Sequence, residues 1–118
     1  MEYYSGLVPR ASATADIFAA VADSHRRDIL VYLAIQERAV NEIAETVKLA
    51  QPSVSKHLKV LREAGLVDTR RDGRRVFYKT NIAGIRPLHE WAGIFERYWR
   101  HQLARIKERA EAHKGGKP

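Results

Sequence analysis

The chain of 118 residues contains no cysteine. Without a thiol there is no disulfide framework, no zinc finger or ribbon, no redox pair and no cysteine nucleophile. It also lacks a long apolar run. The longest, Ile29 to Ile35, covers seven residues and includes Tyr32, far short of the ~20 a membrane-spanning helix requires. The amino end offers acidic Glu2 and polar residues where a secretory signal needs a basic start and a long apolar stretch. A cytoplasmic protein that does not enter membranes is the expectation. Paired-carboxylate motifs, phosphate-cradling glycine loops and nucleophile elbows are missing too, so no enzyme is expected. Nor are there internal repeats or an inner linker.

What is present is a globular composition, 45% apolar and 30% charged, with 21 Lys+Arg against 14 Asp+Glu for a formal charge of +7. At this length one domain with a modest core is the prior. The positive excess points to a polyanionic partner. Its distribution narrows the choice. Residues 1–50 carry five basic and seven acidic side chains, residues 51–80 eight and three, and residues 81–118 eight and four. The positive field belongs to the middle and the tail.

Residues 1–11 show neither helical nor strand periodicity. Ser5 to Arg10 reads SGLVPR, identical to a common thrombin-cleavage linker, so this stretch is read as an N-terminal arm or a vector-derived segment. From Ser12 the helical period begins, with Ser12 or Thr14 as cap and Ile17, Phe18 and Val21 as an apolar edge. Asp23-Ser24 recaps a second helix to about Gln36. Val40, Ile43, Ala44 and Val47 mark a short third helix, and Lys48-Leu49-Ala50 a tight turn. Pro52 then opens a fourth helix with Val54, Leu58 and Leu61 on its core stripe, ending at Gly65.

The period next switches to strand. Leu66 to Arg71 and Arg74 to Thr80 flank Asp72-Gly73, a strong two-residue hairpin signal. That loop sets Arg71 opposite Arg74, Arg70 opposite Arg75, Thr69 opposite Val76 and Val67 opposite Tyr78. Like charges facing across a hairpin cost stability, so an anionic ligand is a natural reason to keep them. After Asn81 one long helix, with Pro87 near its start, reaches about His113 before a frayed tail at residues 115–118.

This order predicts a mostly α chain with a small β-hairpin: a winged helix-turn-helix of about five helices and a two-stranded wing. Residues 12–80 form the DNA-binding domain and 81–114 a C-terminal dimerisation helix. With its core stripe buried, the fourth helix offers Gln51, Ser53, Ser55, Lys56, His57 and Lys59 to a major groove. Gln and Ser can read base edges while Lys holds phosphate. The wing arginines Arg70, Arg71, Arg74 and Arg75 reach adjacent backbone or the minor groove.

Residues 15–80 resemble the ArsR/SmtB family of bacterial winged-helix repressors. The matching stretches are VADSHRRDIL (Val21–Leu30), VNEIAE (Val40–Glu45), QPSVSKHLKVLREAGLV (Gln51–Val67) and the wing RRDGRRVFY (Arg70–Tyr78). The resemblance implies a homodimer on a palindromic operator in double-stranded DNA, often repressing its own operon. One departure is Ala50, where the family usually has a serine cap; losing that hydroxyl costs about 1 kcal/mol, so Gln51 or Pro52 is expected to have shifted the helix start away from that cap. Family sensors use cysteines at the third helix, or zinc sites between the last helices spaced D-x-H, ten residues, then H-x-x-H/E. Here the first place is Pro87, His101 follows His89 by twelve residues, and Ala104 takes the final place. No metal or other cofactor is expected from that pattern, and His89, His101 and His113 read as solvated helix positions.

Trp91, Phe95 and Trp99 recur every four residues, with Tyr98 beside them, more aromatic surface on one terminal helix than so short a chain buries. Dimerisation through this helix and the Ile17/Phe18 helix is expected. The aromatic pattern and basic tail are similar to the cysteine-free SdpR-like branch, which implies relief by something other than metal. Two further readings stay open: a repressor switched by a small organic ligand or a partner protein at the dimer seam, and a basic RNA-binding or architectural protein.

Overall fold

A computed structural model describes residues 16–115, with side chains through residue 112. The expected arm at 1–11, the Ser12 or Thr14 cap, the His113 side chain and residues 116–118 lie outside the described residues. The rest falls into two compact units that divide between Pro87 and Leu88. Among the described residues no helix is long and apolar enough to cross a membrane.

The first unit begins with helical residues 16–20, here α1. Then come α2 (Ser24–Ile35), β1 (Arg38–Ala39), α3 (Val40–Val47), α4 (Gln51–Glu63), β2 (Val67–Asp72) and β3 (Arg75–Thr80). Asp23 caps α2, its carboxylate accepting from the backbone amides of His25 at 2.8 Å and Arg26 at 3.2 Å. Glu42 returns its carboxylate to the Ala39 amide at 2.9 Å and secures the start of α3. Between α3 and α4 the chain turns through Lys48, which sits at φ +59. The end of α4 is closed by the left-handed Gly65, φ +78. The Leu66 amide reaches Leu61 oxygen at 2.9 Å and the Gly65 amide reaches Arg62 oxygen at 3.0 Å, a Schellman closure that drops Leu66 back onto the core.

That core is built from Ile29, Leu33, Ile43, Val54, Leu58, Leu61, Leu66 and Val67. Buried Thr80 donates its hydroxyl to the Leu30 carbonyl at 2.7 Å, pinning the end of β3 to α2. Gly84 packs so closely under the α4 terminus that a Cβ there would stand 2.2 Å from the Gly65 oxygen. Among the described residues every buried side-chain N or O has a hydrogen-bond partner.

Four expectations need correction. The sheet has three antiparallel strands in the order β1-β3-β2, because Arg38 and Ala39 pair with Tyr78 and Phe77. The hairpin register is displaced by two residues: Asp72 faces Arg75, Arg71 faces Val76, Arg70 faces Phe77 and Val67 faces Thr80. Gly73 and Arg74 form the loop, with Gly73 at φ +63 as the first central residue, the arrangement a II′ turn favours. A two-residue displacement keeps every side chain on its face and replaces two facing arginine pairs by one opposite-charge pair. The third correction concerns α4, whose N-cap is Ala50 itself without a side-chain bond; its start has not shifted. Last, the C-terminal stretch is two helices, α5 (Ile82–Gly93) and α6 (Glu96–Gly115), with Pro87 inside α5. At the break the amides of Ile94 and Phe95 bond three residues back, to Trp91 and Ala92, at 3.2 and 3.1 Å.

In the second unit, from Leu88 on, Trp91 and Phe95 meet edge to face with centroids 5.3 Å apart. Arg97 lies over Tyr98 at 5.7 Å, and Arg100 bonds Glu96 at 2.7 Å. Every described side chain from residue 89 to 112 is exposed in the single chain.

Candidate nucleic-acid interface

The α4 stripe of Val54, Leu58 and Leu61 is fully buried, which turns the remainder of the helix outward. Gln51, Ser53, Ser55, Lys56 and Lys59 are exposed, and His57 is half-buried. The first turn of α4 lacks a capping side chain, and Pro52 removes one of its amides. The backbone there presents little beyond the Gln51 amide, since the Ser53 and Val54 amides bond Ala50 at 3.0 and 3.1 Å.

The wing arginines divide into two pairs. Arg70 and Arg75 occupy one face of the hairpin, each guanidinium 4.9 Å from the Phe77 ring centroid. Arg70 is bound by Glu37 through Nε, at 3.1 Å to both carboxylate oxygens, and through Nη2. Arg75 approaches Glu42 at 3.5 Å, so the carboxylate that caps α3 also steadies the wing. The Arg70 hydrogen bond, helped by the charges of Arg70 and Lys79, holds the Glu37 carboxyl below the usual carboxylate range. The same bond raises Arg70 above its ordinary value. Arg71 and Arg74 are exposed and have no ion-pair partner among the described residues.

An open groove runs between the α3 and α4 starts and the wing, lined by Ala39, Val40, Asn41, Gln51, Arg75, Val76 and Tyr78. It brings together Gln51 and Arg75, which the sequence had assigned separately to helix and wing. Asn41, Glu37 and Glu42 were not singled out from sequence. Their signal is weak, because each is an ordinary polar residue, and the wing partners of Glu37 and Glu42, Arg70 and Arg75, lie 33 positions along the chain.

On the other flank of α4, His57 meets the start of α2. Its Nδ1 lies 3.4 Å from Arg26 Nη1, and its ring is 5.9 Å from that of His25. His25 Nδ1 is 3.7 Å from Asp23 Oδ1. The Arg26 amide foremost, with the His25 amide and the charges of His57 and Arg26, holds the Asp23 carboxyl below its ordinary value.

The remaining predicted residues belong to α1 and to the second unit. Ile17 and Phe18 are half-buried in α1. Trp91, Phe95, Tyr98 and Trp99 are 54, 39, 59 and 64% exposed in the second unit. His89 and His101 are exposed there as well.

Residues 23–69 match the model of the bacterial regulatory protein, arsR family. The HTH-type transcriptional regulator KmtR of Mycobacterium tuberculosis is 47% identical over 73 residues, 62% of this chain and 56% of KmtR. The chain thus spans little more than half of that relative. The transcriptional repressor SdpR of Bacillus subtilis is 30% identical over 76 residues, 64% of this chain and 84% of SdpR. Among solved structures, the homodimeric winged helix-turn-helix DNA-binding domain of Mb0332 from Mycobacterium bovis superposes with a TM-score of 0.66 at 28% identity, covering 80% of this chain and 88% of that one.

Proposed function

This chain belongs to the arsR family of bacterial regulatory proteins, and from that premise we propose that it is a homodimeric, sequence-specific repressor that binds double-stranded DNA. The observation that carries the reading is the groove that sets the polar first turn of α4 beside the wing, in the stretch where basic residues outnumber acidic ones by eight to three. A major groove takes a helix of this kind, and the wing then falls on the neighbouring backbone.

Each residue has a role in this reading. Gln51, Ser53 and Ser55 read base edges, and Lys56, His57 and Lys59 hold phosphates along the helix. Arg71 and Arg74 are the wing's phosphate contacts. Arg70 and Arg75 stiffen the wing through Glu37, Glu42 and Phe77 and add to the field. Residues 12–80 bind DNA and 81–114 dimerise, with Ile17 and Phe18 of α1 and the aromatic stripe Trp91, Phe95, Tyr98 and Trp99 each supplying apolar surface to a two-fold interface.

Gel shift with the duplex upstream of the chain's own gene tests this; binding no tighter than to random duplex defeats specific repression. Replacing Arg71 and Arg74 together weakens binding to every duplex and lowers the slope of log K against log salt by about two. Gln51→Ala changes sequence preference by roughly 1–3 kcal/mol at one base pair and leaves the slope alone. Identical behaviour of the two variants overturns the division of roles.

A further inference from the structure

The meeting of α2 and α4 places three metal-ligating groups together on the flank of the reading helix, and one of them, His57, is also assigned a phosphate in the DNA reading. The side chains of Asp23, His25 and His57 each offer a ligand atom, and these atoms all lie within 4.8 Å of one another. They come from the cap of α2, its first turn and the middle of α4. Among the described residues it is the one group of three such ligands that converges; His89 and His101 take no part.

We propose that Asp23, His25 and His57 form an open three-ligand site for a zinc-class divalent cation. Two imidazoles and a carboxylate suit zinc, cobalt or nickel, and are too nitrogen-rich for calcium or magnesium. Three protein ligands leave a fourth position for water. Bonds of ~2.1 Å imply ligand atoms about 3.4 Å apart in a tetrahedron, so atoms that all lie within 4.8 Å of one another need a closing shift of no more than about 1.4 Å. His25, half exposed on the first turn of α2, has the room to make it.

The preorganisation is already present. Two backbone amides hold the Asp23 carboxylate, and Leu58, the neighbour of His57, is locked in the core. One group opposes the ion. The Arg26 guanidinium stands 3.4 Å from His57 Nδ1, tethered to the carbonyls of Ala20 at 2.6 Å and Ala19 at 3.2 Å. Its charge makes the site weaker than a four-ligand structural zinc centre. The position also differs from that of sites built between terminal helices, so the mismatched spacing around His89 and His101 has no bearing on it.

Zinc titration of the untagged chain by calorimetry, with cobalt absorption as a spectroscopic check, tests the site. The chain has five histidines, and the background for the test replaces His89, His101 and His113 by Gln. One equivalent of zinc is expected to bind this background as it binds the parent. Within it, His25→Gln and His57→Gln each weaken binding at least tenfold, and Arg26→Gln tightens it. Asp23→Ser keeps a capping hydroxyl, so its melting temperature stays close to the parent's while zinc affinity falls at least tenfold. Absence of a one-equivalent phase in the parent overturns the proposal. So does its loss in the triple background, or its persistence after His25→Gln. None of these results touches the DNA reading, which stands or falls on the gel shift.

Discussion

Helices α4 and α6 carry apolar side chains at the same spacing and meet opposite fates. Val54, Leu58 and Leu61 follow one another by four and three residues, and so do Trp99, Leu103 and Ile106. The first three are at most 1% exposed; the second three are 60–65% exposed. The spacing states that a helix has a face to bury. It does not state whose surface will cover it. In the first unit the cover comes from the same chain, from α2, α3 and the sheet. The aromatic face of the second unit has no such cover among its own residues, which is the physical ground for expecting a second copy there.

This contrast can be broken in graded ways. Leu58→Ala removes side chain from a filled core and is expected to cost 2–5 kcal/mol, read by chemical denaturation as a loss within the protomer at any protein concentration. The double variant Trp99→Ala, Leu103→Ala is expected to act on assembly. Removing two interface anchors costs roughly 3 kcal/mol, about a hundredfold in the dimer dissociation constant, measured by sedimentation equilibrium. If it instead lowers protomer stability as Leu58→Ala does and leaves the assembly intact, α6 is covered by its own chain and the contrast collapses. Ala50→Ser, which restores a cap to α4, is expected to raise thermal stability by about 1 kcal/mol without moving the monomer–dimer balance. The smallest effect is electrostatic. The Glu37 carboxyl titrates below its ordinary range in the folded chain, so its contribution is full above the unfolded value and fades as pH falls through the depressed one. A side-chain carbon NMR titration is expected to show this depression in the parent and its loss in Arg70→Ala.

Much of the first unit was legible because its signals are local. The Asp23 cap, the Val40–Val47 helix, the α4 stripe and the left-handed Gly65 each follow from a few adjacent residues, and the structure has them where they were read. What escaped depends on partners far along the chain. β1 is two residues with no periodicity of its own, made a strand only by pairing with Phe77 and Tyr78. The Asp72-Gly73 signal located the turn, but the register was chosen by which charges end up facing each other, a matter of cross-strand energy. The break at Ile94-Phe95 lies inside an apolar pattern that runs on through it, so periodicity gave no warning. The same holds at the candidate interface. The polar face of α4 was readable from its wheel, whereas the tethering of Arg70 by Glu37, 33 residues earlier, and the meeting of His25 with His57 exist only once α2 packs on α4.

The brevity of β1 has a consequence for how copies of this chain meet. A sheet edge is a row of unpaired amides and carbonyls on which another strand can add. Here one edge is the two-residue β1, and the other is β2, crowded with Asp68, Arg70, Arg71 and Asp72. Neither offers a long neutral backbone ladder, so the wing is a poor seed for intermolecular sheet growth.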